Sequence, residues 1–206
     1  MLSVVLPVLD QEKTDWLSRI EERLAEVSGI EVVRGKGKTR AERLQSGIEA
    51  ASGDTLLLHH PRSIVDREGL EWLRDHAKEV PWGGFTHAFD FDHYLLRFTS
   101  WWSNRMRGTR KGILYLDHCI FFQRRLLTRP IPPVEIFEDT ELSLILRESG
   151  PPTILPFRSL TSSVRFRTNG VWRQALLNQG LKWQYYLGRS SKRMNDRYER
   201  GLRLND

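Results

Sequence analysis

Cysteine is nearly absent from this chain: Cys119 stands alone among 206 residues. One thiol can build neither a disulfide framework nor a cysteine-ligated zinc cluster. Long apolar runs are missing as well, and no stretch approaches the roughly 20 residues that carry a helix across a bilayer. The opening MLSVVLPVLD has no basic leader, and Asp10 closes its short apolar part, so it does not read as a signal peptide. Internal repeats and low-complexity linkers are also lacking. These absences point to one domain of ordinary size and to a cytoplasmic location.

Hydrophobic residues make up 39% of the chain and charged residues 28%, a globular rather than disordered balance. The net charge of +6 is concentrated in RGKGKTR (34–40), RMRGTRK (105–111) and GRSSKRMNDRYERGLR (188–203). Such clusters suit phosphate groups, nucleic acid or anionic lipid, or serve only as solvated faces. RGKGKTR sets two glycines among cations just before a helix, a fair phosphate-binding composition. It lacks the spacing of a Walker motif.

Periodicity organises the first half. SVVLPVL (3–9) reads as a strand, and Thr14 to Ser28 as a helix with Trp16, Leu17, Ile20, Leu24 and Val27 on one face and a stop at Gly29. IEVV (30–33) is a second strand. Thr39 caps a helix with Ala41, Leu44, Ile48 and Ala51 on its stripe and Gly53 at its end. DTLLLHH (54–60) is a third strand, and Asp66 to Val80 a third helix. This alternation predicts a mainly parallel mixed sheet with helices on both faces, an α/β class. Its crossovers gather the strand C-termini, and hence the ligand site, at one edge. The second half is less regular. WGGFTHAFD (82–90) suggests a strand, 93–108 a helix, GILYLDHCIFF (112–122) a buried strand, 137–150 a helix and TILPF a short strand. The segment 171–187 suggests an amphipathic helix running into a basic tail. The expected organisation is an α/β domain over 1–160, with 161–206 as its helical appendage.

Three polar groups could carry chemistry. Glu138, Asp139 and Glu141 open a helix, where dipole and capping explain acids, but a pocket carboxylate could also take a proton from a hydroxyl. Asp117 and His118 interrupt an apolar run, marking either a strand end or a site. His59 and His60 sit at the expected rim, but neighbours in a strand point to opposite faces and cannot readily chelate one metal.

Five segments, in order, resemble the family 2 glycosyltransferases of GT-A fold, closest to the small subgroup associated with radical-SAM and selenoprotein-type domains. SVVLPVLDQE is similar to the family's opening strand, RAERLQSGIEAASGDTLLLHH to RAxQMNxGAxxAxGDxLLFLHAD, and YLDHCIFFQRRLL to YGDQGxFxRRxxF. FEDTELSLILRESGPPTILP is similar to MEDxELxxRLRRxGxxxxLP, and SSVRFRTNGVWRQALLNQGLKWQYYLG to the pattern that follows. The resemblance implies a GT-A-like sheet and transfer of a sugar, with inversion, from a nucleotide sugar to a hydroxyl acceptor. It makes Asp139 the general base and puts Asp117, His118 and Glu138 on the acceptor side. It puts Pro7, Lys38, Arg40, Gln45, His59 and Arg62 around the nucleotide sugar. It also implies Mg²⁺ or Mn²⁺, yet Pro61 stands where the family has its metal-binding acid, and the base-binding segment after the second strand is missing. Either Lys36, Lys38, Arg40 and Arg62 neutralise the leaving diphosphate instead, or the chain is a non-catalytic GT-A-fold module. That module would bind an acidic partner or, through its basic C-terminal helix, the inner membrane face. No specific nucleic acid is expected.

Overall fold

The computed structural model describes residues 1–9 and 14–200. The expected sequence of elements opens it, with one strand added: β1 (Leu2–Leu6), α1 (Asp15–Ala25), β2 (Ile30–Arg34), α2 (Arg40–Ala50), β3 (Thr55–Leu58), the unexpected β4 (Ser63–Val65) and α3 (Arg67–His76). Local chemistry accounts for the helix starts. Thr14 accepts from the Leu17 N–H, and Thr39 forms a full capping box with Glu42. The second half contributes β5 (Trp82–Phe89), α4 (Tyr94–Trp101), a π-helix (Trp102–Arg110), β6 (Ile120–Gln123), α5 (Glu138–Leu146) and β7 (Thr153–Thr161). Helices α6 (Val164–Asn169), α7 (Val171–Tyr186) and α8 (Ser191–Tyr198) follow.

The strands form one sheet in the order β2-β1-β3-β6-β5-β7-β4. Strands β1, β2, β3, β5 and β7 run one way, and β6 and β4 run against them. The chain therefore has the mixed, mainly parallel α/β sheet of the GT-A type. Side-chain alternation along the strands divides the interior in two. Leu2, Val4, Leu6, Leu57 and Phe121 point to one face, against Leu17, Ile20 and Leu24 of α1 and Leu70 and Leu73 of α3. Val5, Leu56, Leu58, Ile120 and Phe122 point to the other, against Leu44 and Ile48 of α2 and Leu142 and Leu146 of α5. A third cluster joins Ile136 and Phe137 to Leu181 of α7 and Met194 of α8.

Several expectations need correction. Helix α2 ends at Ala50 with Ala51 as its C-cap, not at Gly53; a Cβ on Gly53 would lie 2.6 Å from the Met1 carbonyl, so glycine there serves close strand approach. GILYLDHCIFF is not one strand. Leu116–His118 form a 3₁₀ turn and Cys119 takes a left-handed φ of 48° before β6 begins. His59 and His60 follow β3 rather than belonging to it, so strand alternation does not govern them. The helix expected over 93–108 widens into the π-helix after Trp101. TILPF is the start of a nine-residue strand that pairs with β5 and β4. Asp10 and the end of the basic tail lie outside the described residues.

Candidate functional site

Beyond the ends of β3 and β5, where the sheet edge meets α7, lies a cleft. Its polar lining includes Arg40, His60, Arg62, Asp117 and Asp139 from the sequence-derived set. It also includes His87, Arg107, Arg165 and Lys182, which sequence reasoning missed.

The two acids are aimed by unusual backbone. Phe137, directly before Glu138-Asp139, has φ 68°, and Cys119, directly after Asp117-His118, has φ 48°. These are the only non-glycine residues in the left-handed region among those described. Left-handed backbone at a bulky residue costs energy and concentrates at functional sites. Asp139 is buried at the mouth of α5, with Oδ2 accepting the Leu116 N–H at 2.9 Å. Burial, and then the neighbouring Glu138 carboxylate, push its pKa up to about 6, against the pull of Arg40. A carboxylate there is a proton acceptor near neutral pH.

Glu138 does not line the cleft. It is fully buried, and the Arg40 Nε–H bonds its Oε1 across 98 residues of sequence. Burial works against the Arg40 charge, yet Glu138 and Asp139 more than offset it and raise the guanidinium pKa above its ordinary value. The acceptor-side position expected for Glu138 is therefore corrected: its carboxylate holds Arg40 in place. Glu141 likewise does more than serve the helix dipole, because Oε1 accepts the Tyr185 hydroxyl at 2.7 Å.

The histidines separate. His118, expected on the acceptor side, is not part of the lining. Its Nδ1 donates to the Phe85 carbonyl at 2.9 Å, so Nε2 accepts from the Ser103 hydroxyl at 2.7 Å. Burial, and then His87, lower its pKa to about 3. His59 is buried off the cleft with Nδ1 donating to the His60 carbonyl, and burial takes it down to about 4. His60 is the one that lines the cleft. Its Nδ1 accepts from the Arg62 N–H, which leaves the proton on Nε2, 3.6 Å from Asp117 Oδ1. His87 is buried in the lining with neither ring nitrogen hydrogen-bonded, and burial lowers it to about 3. A neutral imidazole left unsatisfied in a cleft is a group awaiting a polar ligand.

The other donor-side residues expected from the sequence are engaged elsewhere. Gln45 accepts the Ile131 N–H and donates to Glu49. The Pro7 carbonyl accepts from Arg43, a buried arginine that also bonds the carbonyls of Gly37 and Lys38. Sequence reasoning missed Arg43, which organises the 34–40 loop. Lys36 and Lys38 are exposed on that loop and do not reach the lining.

The π-helix brings in the missed cations. Asn104 pairs with both the N–H and the C=O of His87, taking the place of a strand neighbour just past the irregularity in β5. This anchors the wide turn, and π-turns of this kind recur at functional sites. Arg107 then bonds the Ser103 hydroxyl and lies over the Tyr115 ring, its guanidinium carbon 3.4 Å from the centroid. Lys182 of α7 approaches the same ring, with Nζ at 5.5 Å. Burial, and then the Arg107 charge, lower the Lys182 pKa to about 8. The cleft thus gathers cations from five segments around two carboxylates, a field suited to an anionic ligand such as a diphosphate.

The residues do not fit a divalent metal. Pro61 offers no carboxylate, His60 Nδ1 already accepts the Arg62 N–H, and Asp139 already accepts a backbone N–H. Among the described residues, no group of three or more His, Cys, Asp or Glu could hold an ion. Mg²⁺ and Mn²⁺ need several oxygen ligands.

No family model matches the sequence, and no curated protein does. Solved structures with the same fold do exist. Residues 1–349 of S. aureus TarS superpose with a TM-score of 0.56 at 9% identity, covering 99% of this chain and 73% of that one. The same fragment in complex with UDP-GlcNAc gives 0.54 at 12% identity, over 79% of this chain and 58% of that one. At such identities the likeness is one of fold: a nucleotide-sugar transferase-like α/β architecture.

Proposed function

We propose that this cleft binds a nucleotide sugar and transfers its sugar, with inversion, to a hydroxyl acceptor. The described residues after 160 act as an appendage of the α/β domain that walls the same cleft. The observation that carries the reading is Asp139: a buried carboxylate, ionised above about pH 6, facing a cleft lined with cations. The acceptor oxygen bonds to the anomeric carbon as the bond from that carbon to the diphosphate oxygen breaks. The electron pair leaves with the diphosphate, and the acceptor's proton passes to Asp139. Asp117, with Oδ1 3.6 Å from His60 Nε2, is placed to hold the acceptor.

Charge on the departing diphosphate must be met where it develops, and this is normally a large part of catalysis. In this reading Arg40, Arg62, Arg107 and Lys182 do so without a metal. That assignment replaces Lys36 and Lys38, which lie outside the cleft. His87 supplies a hydrogen bond to the sugar or the phosphate. The fold neighbour crystallised with UDP-GlcNAc makes that compound the first donor to test.

The test is a panel of nucleotide sugars, with and without Mn²⁺, read by thermal stabilisation and by release of nucleoside diphosphate. The expected result is stabilisation and turnover that do not depend on Mn²⁺. Binding without turnover for every donor and acceptor would leave a non-catalytic module. No binding at all, or activity strictly dependent on Mn²⁺, would overturn the assignment.

A further inference from the structure

The outer faces of the two helical segments that wall the cleft are aromatic and uncovered. On α7, Trp172, Leu176, Trp183, Tyr186 and Leu187 are between 57% and 72% exposed. At 100° per residue they fall within an arc of about 100°, a single stripe along the helix. The opposite side of α7 faces the cleft through Asn178, Leu181 and Lys182. Helix α4 and the first turn of the π-helix repeat the arrangement. Tyr94, Phe98, Trp101 and Trp102 point outward, 42% to 58% exposed, while Thr99 and Ser103 line the cleft. The two aromatic sets meet where the Tyr94 and Trp172 rings lie 5.9 Å apart. Monomeric proteins rarely leave so large a contiguous apolar surface in water.

Charge selects the occupant. From Tyr94 to Leu116 the chain has five Lys and Arg and no acid, and from Gly150 to Asn195 it has eight and no acid. The rest of the chain is net acidic, so the whole positive excess resides in these two stretches. Within them Arg97, Arg158, Arg165 and Arg167 pair with acids, and Arg107 and Lys182 line the cleft, while Arg105, Arg110, Lys111, Arg173, Arg189, Lys192 and Arg193 are exposed. A second copy of the chain docked on this face would bring cations against cations. An anionic surface would be attracted. Trp and Tyr have an apolar body with a polar edge, which places them at the boundary between lipid headgroups and acyl chains. Basic residues interleaved with such aromatics are the composition of a helix lying in that plane. No described helix is long and apolar enough to cross a membrane.

We infer that the outer faces of α4 and α7 dock this protein on an anionic lipid bilayer, with the cleft opening beside the membrane. The inference does not depend on the proposed transfer activity. It extends the contact expected of the C-terminal helix to α4, while Met194 anchors α8 in the interior.

Flotation of the full chain with vesicles of phosphatidylcholine, with or without phosphatidylglycerol, tests it. Binding is expected only to the vesicles containing phosphatidylglycerol, and brominated acyl chains should quench the tryptophan fluorescence of the bound protein. A combined Trp172→Ala, Leu176→Ser, Trp183→Ala variant should bind at least about 10-fold more weakly. Quenching of the wild-type protein keeps the test valid should that variant misfold. Three results would overturn the inference. One is no binding to anionic vesicles, and another is binding without quenching that the variant leaves unchanged. The third is a concentration-dependent dimer, formed without lipid and abolished by the same substitutions, which would assign the face to a second copy.

Discussion

Helices α1 and α7 both carry an apolar stripe at helical spacing, yet they put it to opposite use. In α1, Leu17, Ile20 and Leu24 are sealed against the sheet and the charged side meets water. In α7 Trp172, Leu176, Trp183 and Tyr186 face outward, while on the inner side Leu181 joins the third core cluster and, with Asn178 and Lys182, walls a cleft. The same contrast holds for the two halves of the chain. The first half builds a conventional core and lends the cleft Arg40, His60 and Arg62. The second half supplies both carboxylates, the unsatisfied His87 and the cations around Tyr115. One half secures the fold, and the other is organised around a ligand.

Substitutions can break this contrast, and the largest effect should come from the functional half. Asp139→Asn preserves shape and hydrogen bonding but removes the base, and should lower transfer by about 10²–10⁴ in kcat while leaving donor binding nearly intact. Its neighbour should behave differently. Glu138→Gln strands the Arg40 guanidinium, and losing one partner of a buried pair costs about 3–5 kcal/mol, read by urea unfolding. A Glu138 variant of unchanged stability would dissolve the distinction between the positioning acid and the reacting one.

In the structural half, Ile20→Ala should cost about 2–5 kcal/mol, because the cavity it leaves cannot collapse. Leu176→Ser on α7 should fall within about 0.5 kcal/mol of wild type, as an exposed position does. Comparable losses at the two sites would show that something covers the α7 stripe in solution.

The pH profile sharpens the contrast further. Asp139 is ionised above about 6, so activity should fall about tenfold per unit as pH drops below that value. Lys182, lowered to about 8, loses its charge above that pH, and Lys182→Arg should extend activity to higher pH. Stability moves the other way on the acid side. With a folded pKa raised above the unfolded one, the folded state holds more protons between about pH 4 and 6, so stability declines as pH rises through that window. Asp139→Asn should flatten this slope, which is the smallest effect of the set.

Much of the fold was legible because it follows from local repetition. The period of 3.6 in α1 to α3 and the apolar runs of β1 and β3 each state which face must be buried. Thr14 and Thr39 mark helix starts by chemistry that acts over three residues. Irregular local structure was not legible. The left-handed turn at Cys119, the π-helix after Trp101 and the edge strand at Ser63–Val65 depend on what packs beside them. The family resemblance drew attention to Asp139 and Arg40, but it singled out His59 where the cleft is lined by His60. Adjacent residues in a loop have no periodic rule to say which one faces inward.

By itself, then, the sequence determined the α/β alternation, the two core faces and the concentration of positive charge, since each is a property of neighbours along the chain. Tertiary structure alone decided which acid is held by Arg40 from 98 residues away, which carboxylate titrates near pH 6, and which cations share one cleft. Desolvation and Coulomb interaction act through space. Their strength depends on burial and distance, and neither exists until distant segments have met.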